Sequence, residues 1–171
     1  MLARMSNFFE EQRTKWNKSE RTAADMLSDV ALERFQKFNP PTFDGGSGEE
    51  VAERWIETME KIYQALNYSD ERKVMFAAFQ LEGPARDWWR VVEEKWGMEV
   101  RPKLWSAFRD EFLKNFIPKV VRDRKEEEFI GLRQETLTVA QYEIQFTKLS
   151  KYAPEMVNTE EERKWRFLHR Y

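Results

Sequence analysis

Cysteine is absent from the 171 residues, which removes disulfide frameworks, thiol nucleophiles and cysteine-based zinc sites together, and fits a reducing compartment. Histidine occurs once, at position 169, and one histidine supplies neither a multi-histidine metal site nor a plausible Ser-His-Asp arrangement. Long apolar runs are missing too. The longest spans Val74 to Phe79, far short of the roughly 20 residues that cross a bilayer. The opening MLARMSNFFEEQRTKW holds no apolar stretch fit for a signal peptide. A soluble, intracellular chain is the expectation, with no membrane partner.

Charge excess is also lacking: 29 Lys and Arg face 31 Asp and Glu. Residues 1–40 sum to +1, 41–118 to −4 and 119–171 to +1. No segment offers the clustered cations from which phosphate binding draws its affinity. Glycine and proline number six each, and most stand where helices should begin or end. No alternating strand pattern occurs, and Asp44-Gly45-Gly46 lies between a proline pair and a helix start, so it marks a loop.

What the chain does have is apolar surface, with seven Trp and 13 Phe, arranged at helical spacing. Leu27, Ala31, Phe35 and Phe38 predict a helix over about 19–37, which Pro40 and Pro41 end. Phe38 to Phe43 should be extended. Ser47 and Glu50 have the spacing of a capping box ahead of a stripe formed by Val51, Trp55, Met59, Ile62 and Leu66. Ser69 or Asp70 can cap a second helix reaching Leu81, and Gly83-Pro84 is a junction to a third. That third helix carries Ala85, Trp88, Trp89, Val92 and Trp96 and should stop at Gly97. A fourth is expected from Pro102 to the residue before Pro118, bearing Trp105, Phe108, Phe112 and Phe116. Residues 119–134 read as a mixed-charge interlobe segment. Thr138 and Gln141 form a further capping box before Val139, Tyr142, Phe146, Leu149 and Tyr152, and Pro154 ends that helix. Thr159 and Glu162 cap a last helix with Trp165 and Leu168, which the chain end cuts short, as in a fragment of a longer polypeptide.

Several of these pieces, in order, resemble the Gag protein of gypsy-class LTR retrotransposons, particularly those of plants. They are Phe38-Asn-Pro-Pro-Thr-Phe-Asp-Gly45 with Ala52-Glu-Arg-Trp55, then Lys73-Val-Met-Phe-Ala-Ala-Phe-Gln-Leu81 and Gly83-Pro-Ala-Arg-Asp-Trp-Trp89. Leu104-Trp-Ser-Ala-Phe108 with Phe112 and Phe116-Ile-Pro118 follow, then Leu132-Arg-Gln134 and Leu137-Thr-Val-Ala-Gln-Tyr142 with Phe146 and Leu149. The resemblance covers about 38–170. It implies an all-α, two-lobed capsid-like architecture: a first lobe over 40–118 built as a small four-helix bundle and an incomplete second lobe over 119–171. Residues 1–37 fall outside the resemblance, and an N-terminal helical arm over 1–39 is expected from the spacing alone. For the rest, the resemblance sets the expectations. It implies a structural, non-enzymatic role: self-assembly into a shell that packages element RNA. The RNA would be held through a downstream zinc-knuckle segment, and the particles would lie in the cytoplasm. The runner-up is a domesticated gag-derived adaptor that binds peptides or acts as a scaffold.

The residue-level expectations follow. Trp55, Trp88, Trp89, Trp105, Phe108 and Phe112 fill the first core, with base stacking or peptide gripping by the Trp88-Trp89 pair as the lesser reading. Phe38, Pro40, Pro41 and Phe43 form an apolar strip that packs on its own lobe or yields a groove to a partner peptide. Tyr142, Phe146 and Leu149 are either second-lobe core or interface. Lys119, Arg122, Arg124 and Lys125 are cancelled by Asp123 and Glu126 to Glu128, which argues against an RNA contact there. Glu49-Glu50, Glu93-Glu94 and Glu126 to Glu128 lie in first turns or on polar faces, where solvated charge is the default rather than acid–base work. No catalytic, metal, cofactor or small-molecule site is expected.

Overall fold

A computed structural model describes residues 23–169, together with Asn7 and Glu10. Eight α-helices run through the described residues: α1 (Ala23–Gln36), α2 (Glu49–Ala65), α3 (Asp70–Phe79), α4 (Gly83–Met98), α5 (Trp105–Phe116), α6 (Lys119–Gly131), α7 (Val139–Ser150) and α8 (Glu160–His169). A 3-10 turn, Pro154–Met156, sits between the last two. The fold is all-helical, and its only β-type pairing among the described residues is an isolated bridge.

Helix starts follow local chemistry in some places and tertiary chemistry in others. Ser69 caps α3 by accepting from the Arg72 amide at 3.3 Å. Thr138 and Gln141 close a full capping box on α7: the Gln141 amide donates to Thr138 Oγ1 at 3.1 Å, and the Thr138 amide donates to Gln141 Oε1 at 2.9 Å. The expected box at Ser47 does not form. Gly48 takes the N-cap of α2 at φ 86°, with no side-chain cap, and Glu49 and Glu50 sit in the first turn, where the helix dipole favours acids.

Two boundaries shift. Gly97 does not stop α4, which continues to Met98 because a single glycine costs a helix only about 1 kcal/mol; the reversal falls to Val100, at φ 53°. Pro102 does not open α5, which starts at Trp105. There Asp70 Oδ1, from the first turn of α3, accepts from the Trp105 amide at 3.3 Å. This cap comes from across the fold and has no local signature. The mixed-charge stretch after Pro118 is also helical, as α6, with Phe129 as its buried anchor.

Two apolar cores organise these helices. The larger joins Ala31 and Phe35 of α1 with residues of α2 to α5, so α1 is built into the first lobe rather than hanging from it as an arm. Apart from Asn7 and Glu10, the part of the expected arm before Ala23 lies outside the described residues. The smaller core holds Phe129, Tyr142, Phe146, Leu149 and Ala153, covered by Leu132, Leu137, Met156, Val157 and Phe167. Only Ile117 and Pro118, both extended, link α5 to α6.

Candidate functional site

The chain enters the first lobe through the strip 38–43. Proline at 40 and 41 cannot donate, so the strip gains its bonds from elsewhere. Trp55 Nε1 donates to the Pro41 carbonyl at 2.8 Å, and Gln80 Nε2 donates to the Pro40 carbonyl at 2.7 Å. Phe43 pairs in parallel with Leu81: its amide donates to the Gln80 carbonyl at 3.0 Å, and its carbonyl accepts from the Glu82 amide at 2.9 Å. Its ring is buried, with centroids 5.6 Å from Trp55, 5.1 Å from Phe112 and 5.0 Å from Phe116. Gly45 then turns at φ +92°, where a Cβ would come within 3.0 Å of the Phe116 ring. The strip thus lies on its own lobe, with Pro40 and Pro41 half-buried and Phe38 about half exposed.

Trp55, Trp89, Trp105, Phe108 and Phe112 are buried together in the first core. Trp88 is half-buried, and its ring packs on Phe108, Phe112 and Phe116, with the closest centroid at 5.0 Å. This inward packing leaves little of the tryptophan pair to grip a base or a peptide. In the second lobe Tyr142, Phe146 and Leu149 are all buried, at 0, 2 and 6% exposure, so they offer almost no surface of their own to another molecule. Tyr142 also donates its hydroxyl to the Phe167 carbonyl at 2.9 Å, tying α7 to α8.

Outward-facing apolar side chains occur on each lobe. Leu27, Met75 and Phe79 are more than half exposed, and Met75 and Phe79 edge, with half-buried Leu32, a groove of about 200 Å³ between α1 and α3. On the second lobe Ile144, Trp165 and Leu168 are exposed.

The seam between the lobes is charged. Lys151 is nearly buried, and its Nζ lies 3.2 Å from Glu57 Oε1. Tyr152 inserts its ring into the first core and donates its hydroxyl to Glu53 Oε2 at 2.5 Å. Burial, reinforced by the Glu53 carboxylate, holds that phenol far above the usual tyrosine range. Beside them Asp110 Oδ1 is buried without a hydrogen-bond partner. Burial pushes its carboxyl above the usual carboxylate range, against the pull of Arg109 and Lys114. Arg124 and Lys125 of α6 line a cleft opposite Glu49, Glu50, Glu53 and Glu57 of α2, so this part of the basic group seen in the sequence meets an acidic helix face. The seam could not be found from sequence spacing, since its partners lie 94 and 99 residues apart.

The described residues thus form an all-helical module with two apolar cores. Residues 37–117 match the family described as "Retrotransposon-derived protein PEG10, N-terminal capsid-like domain". This part of the chain is similar to a retrotransposon Gag-derived capsid-like domain, and that family is structural, not a known enzyme family. Comparison with curated proteins and with solved structures finds no match. No described helix is long and apolar enough to cross a membrane.

Proposed function

We propose that the chain is a structural capsid (Gag) subunit of an LTR retrotransposon that assembles with copies of itself into a shell. The observation that carries this reading is the match of residues 37–117 to a capsid-like domain. The exposed apolar sets on both lobes support it, because two different weak contacts on one chain generate closed shells by repeated cyclic symmetry. Each contact can be weak, since avidity over many copies holds the particle together. Element RNA is taken up through a separate basic segment, in keeping with the lack of any strongly basic part in this chain. Such particles form in the cytoplasm.

A second reading is a domesticated adaptor that captures a short peptide on the first lobe. It is favoured by the match to a domain of a retrotransposon-derived protein. It is also favoured by the strip 40–43, an extended segment held to the lobe by few backbone bonds. Negative-stain microscopy over rising protein and salt concentration separates the two. Assembly predicts closed particles, whereas the adaptor predicts a featureless field and a monomer that binds peptide.

A further inference from the structure

The two lobes have separate cores, yet four charged or hydroxyl-bearing side chains cross between them. Lys151 is the centre. Its side chain is only 5% exposed, Glu57 faces it from α2, and its ammonium lies 5.8 Å from the Tyr152 ring centroid. A buried ammonium that loses its carboxylate is strongly disfavoured, so the pairing selects one arrangement more than it adds stability. Tyr152 and half-buried Val121 are the apolar groups from beyond Pro118 that reach the first core. The seam is also imperfectly filled: a cleft of about 170 Å³ runs along it, lined by Asp110, Lys114, Arg122, Glu126, Lys151 and Tyr152 among others. Opening it would hydrate Lys151, Glu53, Glu57 and the unpartnered Asp110 oxygen and withdraw Tyr152 and Val121 from the edge of the first core, leaving the rest of each core packed. The only backbone that must turn is the extended pair Ile117–Pro118.

We propose that Lys151 and Tyr152, gripping Glu57 and Glu53, form a latch that fixes the orientation of the lobes, and that breaking it lets them swing as folded units about Ile117–Pro118. The latch is independent of whether the chain assembles.

The absence of cysteine makes labelling simple. Glu94→Cys on α4 and Glu161→Cys on α8, both exposed positions, take spin labels whose separation is read by pulsed dipolar spectroscopy. The latched protein should give one narrow distribution. Glu57→Gln and Lys151→Met, each removing one charge with little change in volume, should broaden it about twofold, as expected for a second populated state. Amide protection in both cores should persist. Reversing the pair, with Glu57→Lys and Lys151→Glu together, should narrow the distribution again. Distances unchanged in both single variants would overturn the latch. So would broadening accompanied by loss of protection in either core, which is unfolding and not a swing. If Lys151→Met does not fold, Glu57→Gln at its half-exposed site and Tyr152→Phe, which keeps the ring, carry the same reading.

Discussion

Tyr152 and Ala153 are consecutive residues that belong to different cores: the tyrosine packs with α2 to α5, the alanine with α6 to α8. The end of α7 is therefore a wedge between two separately packed bodies. Phe146→Ala should cost about 3–5 kcal/mol, comparable with the whole stability of a small lobe. Hydrogen exchange should then show protection lost across α6 to α8 while α2 to α5 keep theirs. A uniform loss would mean that the cores fold as one.

The strip 38–43 allows a paired comparison. Phe43 is buried among three aromatic rings, so Phe43→Ala should destabilise the first lobe by about 3–5 kcal/mol in denaturant melts. Phe38, at 46% exposure, should change stability by no more than about 0.5 kcal/mol.

The two capping-box sequences give a sharper contrast, because they look alike and only one forms. Thr138→Ala should cost about 1 kcal/mol, since its hydroxyl holds the Gln141 amide. Ser47→Ala should be close to neutral, because Gly48 is the N-cap and no side chain caps α2. Urea melts of both variants measure the difference.

These contrasts show what could be read in advance. The helices, their main apolar faces and the aromatic first core follow from spacing alone, because a stripe such as Trp55, Met59 and Ile62 has one way to be buried. The all-helical class holds on that basis, while the capsid resemblance rests on ordered sequence strings and is supported by the family match over residues 37–117. The starts of α2 and α5 were not legible. One depends on Gly48 adopting φ 86°, and the other on Asp70 reaching the Trp105 amide from another helix. Helix α6 was hidden by its charge, as Phe129 is its one fully buried residue. The seam was least visible of all: a lysine beside a tyrosine looks like an ordinary polar helix end until Glu53 and Glu57 are brought to it.

Asp110 supplies a pH test. Its folded carboxyl is held above its ordinary value of 3.8 by burial, so the fold prefers the protonated form. The charged form therefore penalises the fold above the folded pKa, and the penalty fades as pH falls through that value towards 3.8. Asp110→Asn should raise the melting temperature at neutral pH, and the gain should vanish below about pH 4, where the native residue is itself neutral. A gain that stays constant with pH would assign the effect to packing.

Assembly itself is tested most directly by sedimentation velocity of the unmodified chain over a wide concentration range. Self-association into shells predicts a monomer that gives way, with rising concentration, to large and discrete fast-sedimenting species. A single monomeric boundary at every concentration and salt would contradict the capsid reading.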